Sequence, residues 1–208
     1  MVKVKICGIT NLKDAQDAVK AGCDSLGFVF YQNSPRYIVP FKAGSIIKKL
    51  PNYIIKVGVY VNAREKTIKK IARICDLDIL QFHGRESPGF CDRFKDYRII
   101  KSFRLKGRMD VKAVLKYNTF AYLFDTFLKS KTGGTGKNFN WGFLTGKLSQ
   151  IKKPIFLAGG LNEKNIQNAV RTVKPDWVDA SSCLEKVPGK KDPKRVEGFI
   201  RAAKYGRL

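Results

Sequence analysis

The sequence is poor in histidine and lacks the cysteine patterns that hold metals or disulfides. His83 is the only histidine, and the five cysteines are scattered with no C-x-x-C pair among them. A structural zinc site needs four clustered ligands, so we expect no bound metal. An odd and scattered set of thiols also argues against a disulfide framework. The cysteines are Cys7, Cys23, Cys75, Cys91 and Cys183.

Long apolar runs are also missing. No window approaches the roughly 18 apolar residues that a membrane-spanning helix needs. The first residues, MVKVKICGIT, place lysines where a signal peptide needs an apolar segment. We therefore expect a cytoplasmic protein that has no membrane partner.

Acidic residues are scarce: 17 Asp and Glu stand against 41 Lys and Arg, a formal net charge of +24. Such an excess suits an anionic partner, either nucleic acid or a phosphorylated small molecule. It equally suits a protein whose surface is simply rich in lysine. The basic residues are spread along the chain in segments such as IIKKL and PGKKDPKR, with no basic arm. This spread favours the second interpretation.

Strand-like and helix-like segments alternate throughout the chain. Short strands rich in β-branched and aromatic residues indicate a parallel sheet covered on both faces. An open doubly wound sheet fits this alternation, but eight strand–helix units with nothing left over favour a closed (β/α)8 TIM barrel. No linker interrupts the pattern, so we predict one domain over residues 1–208. The predicted strands are 2–7, 25–30, 54–61, 78–83, 98–103, 120–125, 154–160 and 176–182.

Capping residues mark several helix starts. Thr10 or Asn11 is suited to cap the first helix, and Pro40 to open the second. Asn162 is predicted to cap a helix over 163–173, and a final helix is predicted from about Asp192.

Cys7 lies at the end of the first strand, where barrel enzymes carry their chemistry. Alternation turns Lys5 and Cys7 toward the barrel interior if Val4 and Ile6 face the helices. A lysine two residues away favours the reactive thiolate. On the residue pattern alone, Cys7 is either part of the core or a base or nucleophile.

Asp125 ends the sixth strand after an apolar run. An unpaired carboxylate is costly to bury, so we expect Asp125 to face the barrel mouth. It either caps the following loop or donates a proton, and partial burial favours the neutral form that donation needs. A thiolate and a carboxyl group in one mouth suit proton transfer in two directions.

Small residues follow the seventh and eighth strands, at Gly159, Gly160, Ser181 and Ser182. They let backbone N–H groups approach an anion, and the loops after these two strands form the usual phosphate site of such barrels.

Three further residues are expected at the mouth. Arg36, in the loop after the second strand, suits a bidentate contact with a carboxylate, although an isolated loop arginine is usually plain surface. Gln81 and His83 end the fourth strand. With no second histidine and no clear acidic partner nearby in sequence, His83 is assigned no proton-transfer role. The stretch GGTG (133–136) indicates a loop over the mouth.

Several segments, in this order, resemble the phosphoribosylanthranilate isomerases. They are KICGIT, GFVFYQNSPRYI, VGVYVN, LQFHG, LFDT with GGTGKNFNW, LAGGLN, and VDASS with PGKKD. The resemblance implies a cofactor-free (β/α)8 enzyme of tryptophan biosynthesis. Such an enzyme performs the Amadori rearrangement of N-(5-phosphoribosyl)anthranilate to its 1-deoxyribulose 5-phosphate derivative. It implies a phosphorylated small-molecule substrate and a monomer or homodimer.

The same resemblance implies roles for the mouth residues. Cys7 would be the general base that removes the C2 proton, and Asp125 the general acid that protonates the furanose ring oxygen. Arg36 would bind the anthranilate carboxylate. The loops at Gly159–Gly160 and Ser181–Ser182 would hold the phosphate.

Two positions depart from the family pattern, and two rival functions stay open. Asn140 stands where the family commonly has aspartate, a change that we expect to be structural. Cys183 stands where the family usually has glycine, so a backbone there that needs a positive φ or close approach to phosphate would bind it less well. The rivals are a related phosphosugar isomerase of different substrate range and an inactive basic barrel that binds nucleic acid.

Overall fold

The first strand, β1 (Lys3–Cys7), shows how the sequence pattern builds the sheet. Val4 and Ile6 are fully buried in the layer between the sheet and the helices. Lys5 and Cys7 face the barrel interior, where Cys7 belongs to a separate small apolar cluster. Alternation along one strand thus separates the helix-facing core from the interior, as the sequence predicts.

The computed structural model describes residues 1–105, 109–125 and 141–206 of the chain. Eight parallel strands close into a barrel in chain order, and β8 pairs with β1. The predicted (β/α)8 fold is therefore confirmed, while the GGTG stretch and Asn140 lie outside the described residues. The strands after β1 are β2 (Ser25–Val29), β3 (Ile55–Tyr60), β4 (Ile79–Phe82), β5 (Arg98–Arg104), β6 (Ala121–Asp125), β7 (Ile155–Ala158) and β8 (Trp177–Ala180).

Helices follow the strands and cover the barrel. Their apolar faces join one large core with the outward side chains of the sheet. They are α1 (Leu12–Lys20), α2 (Pro40–Ile47), α3 (Glu65–Cys75), α4 (Pro88–Cys91), α5 (Val111–Leu115), α6 (Gly142–Leu148), α7 (Ile166–Val173) and α8 (Pro193–Tyr205).

The helix starts match the sequence prediction in two cases and correct it in a third. Asn11 caps α1 and Pro40 opens α2, as predicted. The prediction for Asn162 was wrong, because α7 begins at Ile166 rather than at 163. The Asn162 side chain instead accepts a hydrogen bond from the backbone N–H of Lys164 at 2.9 Å, which closes a turn before the helix.

An antiparallel hairpin between β8 and α8 was not predicted. It consists of β9 (Glu185–Val187) and β10 (Lys190–Lys191), and a 3₁₀ turn over Ser182–Leu184 precedes it. The Pro-Gly pair at 188–189 was the available turn signal.

Across the described ranges, no helix is both long and apolar enough to cross a membrane.

Candidate active site

Cys7 shares the barrel interior with a buried ion pair. The Lys5 ammonium is fully buried and donates to Oδ1 of Asp179 at 2.9 Å, since the register of β1 and β8 sets the two residues side by side. Gly27, opposite Cys7 on β2, provides the room: a Cβ there would lie 2.7 Å from Cys7 Sγ and 3.1 Å from Lys5 Nζ. The thiol therefore lies beside a lysine whose charge Asp179 holds in place.

The protonation of this cluster follows from burial and charge. Burial lowers the pKa of Lys5, but Asp179 and Cys7 together raise it by more than burial lowers it. The pKa of Lys5 therefore lies above the ordinary value, and the lysine stays charged. Burial raises the pKa of the Cys7 thiol, and Lys5 offsets only part of that rise. Lys5 thus favours the thiolate as predicted, but burial outweighs it in setting the pKa of the thiol.

Asp125 lies at the mouth and has a histidine partner that the sequence did not reveal. Oδ2 of Asp125 is 3.4 Å from Nε2 of His83, and both side chains are about one-fifth exposed. The amide nitrogen of Gln81 donates to Nδ1 of His83 and to Oγ of Ser102, both at 3.2 Å. Nδ1 accepts in this contact when the imidazole proton is on Nε2, and in that tautomer the N–H faces the carboxyl group.

Gln81 is the buried end of this chain of contacts. It is 1% exposed, and its Oε1 has no hydrogen-bond partner among the described residues. Strands β4, β5 and β6 are neighbours in the barrel, so their ends bring Gln81, Ser102 and Asp125 together. Gln81 and His83 therefore lie at the mouth, as expected. Gln81 contacts His83, and His83 contacts the carboxyl group of Asp125.

Arg36 is not an isolated loop arginine. Its Nε donates to Oε1 of Glu185 at 2.8 Å and its Nη2 donates to Oε2 at 2.7 Å. The same carboxylate accepts from the buried Lys191 ammonium at 2.9 Å. Glu185 and Lys191 were not predicted from the sequence, because both belong to the hairpin that was not predicted.

The small residues after β7 have the backbone geometry of a tight turn. Gly159 and Gly160 have φ values of 100° and 68°, a conformation that favours glycine at both positions. The Gly160 carbonyl accepts from the side-chain amides of Asn162 and Asn165 at 3.2 and 3.0 Å, which holds the loop. These contacts leave a small-residue turn at the end of β7, where a phosphate site was predicted.

The serines after β8 differ in what they contact. The Ser181 hydroxyl donates to the backbone carbonyl of Cys7 at 3.0 Å, so it ties the end of β8 to the end of β1. Ser182 is exposed and opens the 3₁₀ turn. Cys183, in the same turn, does not have a positive φ. One of the two reasons for expecting glycine at position 183 is therefore removed.

Metal ligands do not cluster in the described part of the chain. No group of three or more His, Cys, Asp or Glu residues there could hold a metal ion.

Comparison with known proteins gives a consistent family. The family model for N-(5'phosphoribosyl)anthranilate (PRA) isomerase matches residues 4–202. A curated N-(5'-phosphoribosyl)anthranilate isomerase from Pelobacter propionicus is 47% identical over 207 residues, covering 100% of this chain and 98% of the relative. The corresponding protein from Geobacter sulfurreducens is 46% identical over 204 residues, covering 98% and 99%.

Solved structures agree with these relatives. A crystal structure of phosphoribosyl anthranilate isomerase from Thermotoga maritima has a TM-score of 0.91 and 40% identity, covering 98% of this chain and 99% of that one. Another structure of such an isomerase is in complex with reduced 1-(o-carboxyphenylamino)-1-deoxyribulose 5-phosphate. Its TM-score is 0.89 and its identity 38%, with the same coverage.

Proposed function

Since this chain belongs to the N-(5'-phosphoribosyl)anthranilate isomerase family, we propose that Cys7 is its general base and Asp125 its general acid. The chain is an isomerase of tryptophan biosynthesis that acts on N-(5'-phosphoribosyl)anthranilate. The observation that carries the residue roles is the arrangement of the mouth, which has a thiol beside Lys5 and a carboxyl group beside His83.

The acid acts first on the furanose ring. The carboxyl group of Asp125 protonates the ring oxygen, the C1–O bond breaks, and the amine nitrogen forms a C1=N iminium. His83 lies within 3.4 Å of the carboxyl oxygen and orients it for this transfer. Asp125, at the end of β6, thus supplies the proton that the ring oxygen needs.

The base acts on the open chain. The iminium makes the C2 proton acidic, and the Cys7 thiolate removes it, so that the electron pair moves into a C1=C2 bond and onto nitrogen. The resulting enol gains a proton at C1 and loses the proton of its C2 hydroxyl, which gives the ketone of the 1-deoxyribulose product. The substrate's own nitrogen serves as the electron sink, and therefore the proposed mechanism uses no cofactor. The charged Lys5 stabilises the thiolate during the step.

Two anion sites would hold the substrate ends. Arg36 would bind the anthranilate carboxylate through guanidinium donors that Glu185 leaves unused. The backbone amides of the turns at Gly159–Gly160 and Ser181–Ser182 would bind the phosphate, since the Ser181 hydroxyl is already engaged with Cys7. A substrate that carries two anionic groups also suits a strongly basic chain.

The direct test follows the fluorescent substrate, made in situ from anthranilate and phosphoribosyl pyrophosphate. The purified chain should abolish its fluorescence rapidly.

We further propose a single domain over residues 1–208, located in the cytoplasm and either monomeric or homodimeric. Light scattering would determine the oligomeric state. A related isomerase from Thermotoga maritima is described as dimeric. Nucleic acid binding finds no support in the relatives.

A pH titration should show the raised pKa of Cys7. The thiol is neutral below its pKa and charged above it, so a raised pKa means that the thiolate signal appears only at higher pH. We expect the midpoint of the ultraviolet thiolate difference between wild type and Cys7→Ser to lie above the roughly 8.5 of an ordinary cysteine. Subtraction removes the other four thiols. A midpoint at or below that value would contradict the dominance of burial.

Substitution of Cys183 should strengthen substrate binding. Cys183→Gly would remove a side chain from the turn that is proposed to approach the phosphate, so we expect a lower KM and an unchanged kcat. The effect rests on close approach alone, because the φ angle at this position gives glycine no advantage. Steady-state kinetics with Cys183→Ala beside it would measure the change, and an unchanged or raised KM in the glycine variant counts against it.

A further inference from the structure

We propose that Glu185 is a positioning residue, through which the hairpin of β9 and β10 holds Arg36 ready for the substrate carboxylate. The inference rests on the proposed function of Arg36. A guanidinium carries five N–H donors in a rigid fork. Glu185 takes one from Nε and one from Nη2 and thereby fixes the plane of the fork. The donors on its other side are left for an incoming carboxylate.

The charges around Glu185 make this arrangement useful for binding an anion. The side chain of Glu185 is 4% exposed and lies between the Arg36 guanidinium and the Lys191 ammonium. Two cations share one carboxylate, so the cluster keeps one positive charge. Glu185 thus orients Arg36 without cancelling its attraction for a carboxylate.

The aliphatic part of Arg36 is held from a second direction. Gly8, which directly follows Cys7, has a φ of 80°, and a Cβ on it would lie 2.7 Å from Cδ of Arg36. The arginine stem therefore packs directly against the backbone beside the proposed base. With the stem against Gly8 and the fork on Glu185, the position of Arg36 relative to Cys7 is determined at both ends.

The hairpin itself is anchored to the rest of the barrel on its turn side. The Thr10 hydroxyl donates to the carbonyl of Gly189, and a Cβ on Gly189 would lie 3.0 Å from the carbonyl oxygen of Pro35. Pro35 immediately precedes Arg36. The turn of the hairpin therefore packs on the two loops that follow β1 and β2.

The strands of the hairpin have further anchors. The backbone N–H of Lys191 donates to Oδ2 of Asp14 at 2.7 Å, and its ammonium donates to the Ser181 carbonyl at 3.2 Å. Arg195 donates through Nη1 to the backbone carbonyl of Glu185 at 2.7 Å. Contacts to α1, to the end of β8 and to α8 make the hairpin a rigid support for the carboxylate that holds Arg36.

Positioning should appear in binding rather than in the chemical step. A free arginine loses side-chain freedom when it binds, whereas a pre-oriented one has already lost it. Removing the Glu185 carboxylate should therefore raise KM by about 3- to 10-fold and leave kcat unchanged.

The experiment compares two ligands that differ in one group. The first is reduced 1-(o-carboxyphenylamino)-1-deoxyribulose 5-phosphate, and the second is its phenylamino analogue without the carboxylate. Calorimetry with wild type and Glu185→Gln should show binding of the first ligand weakened about 3- to 10-fold and binding of the second unchanged. Glu197→Gln, which removes an exposed carboxylate from α8, is the matched control and should bind both ligands as wild type does.

A conservative variant protects the test against misfolding. Glu185→Asp keeps the charge, but its shorter side chain cannot reach both Arg36 and Lys191. We expect Glu185→Asp to weaken binding of the ligand that carries the carboxylate, to leave binding of the other ligand unchanged, and to have a smaller effect than Glu185→Gln.

Each of the following results would overturn the proposal. Equal weakening of both ligands would reduce Glu185 to a structural role. Unchanged or tighter binding of the carboxylate ligand would make Glu185 a competitor for Arg36. Arg36→Met, run in parallel, distinguishes failure of the role proposed for Arg36 from failure of the role proposed for Glu185. If Arg36→Met binds both ligands as tightly as wild type, the function proposed for Arg36 fails, and the role of Glu185 fails with it. Selective loss in Arg36→Met without loss in Glu185→Gln would remove the positioning role alone.

Discussion

Replacing Cys7 by serine should lower kcat by about 10³-fold, within the range of 10² to 10⁴ that a positioned proton-transfer group contributes. A serine hydroxyl holds its proton far more tightly than a thiol, so the variant has almost no base at neutral pH. Serine fits the space beside Gly27, and substrate binding should therefore stay near the wild-type level. Single-turnover decay of substrate fluorescence measures the chemical step separately from binding.

A second cysteine supplies the control for this prediction. Cys75 ends α3 and its thiol donates to the Pro40 carbonyl at 3.2 Å, a contact that a serine hydroxyl can keep. Cys75→Ser should leave kcat unchanged. Near-normal turnover in Cys7→Ser, with the control also normal, would remove Cys7 from the mechanism.

Asp125→Asn should lower kcat by about 10²- to 10³-fold, because an amide cannot give a proton to the ring oxygen. The amide oxygen can still accept from Nε2 of His83, so the local geometry is kept and the experiment isolates the proton. Ring opening should become the slow step. Steady-state and single-turnover kinetics on the fluorescent substrate would measure the loss.

The control for Asp125 lies at the opposite end of the barrel. Asp78, just before β4, accepts from the backbone N–H of Lys56 at 2.8 Å, and asparagine can accept the same bond. Asp78→Asn should keep full activity. If Asp125→Asn retains kcat within about tenfold of wild type, the acid must be another group, and His83 is the neighbouring candidate.

Much of the architecture was readable because its signals are local. Asn11 and Pro40 mark helix starts through bonds and angles within a few residues, and both predictions held. The helix start predicted at Asn162 was wrong because an asparagine side chain can either cap a helix or close a turn, and here it closes a turn. Local signals thus identify the element but do not always decide between alternatives only three residues apart.

The hairpin after β8 shows the opposite case. Its strands are too short for a hydrophobic period, and only the turn at Pro188–Gly189 marked it. Its stability comes from contacts with distant residues such as Thr10 and Asp14, which no local pattern contains. The sequence therefore predicted Arg36 as a carboxylate-binding residue and missed the internal carboxylate that it holds.

The sequence by itself determined the closed barrel, the inward direction of Lys5 and Cys7, and the placement of Asp125 at a strand end, since alternation and strand count are properties of short segments. Tertiary structure alone decided the partners. Lys5 and Asp179 are separated by 174 positions, and Arg36 and Glu185 by 149. Such pairs depend on strand register and on closure of the barrel. Burial is likewise a property of the whole fold, and for that reason only the structure showed that it outweighs Lys5 in setting the pKa of Cys7.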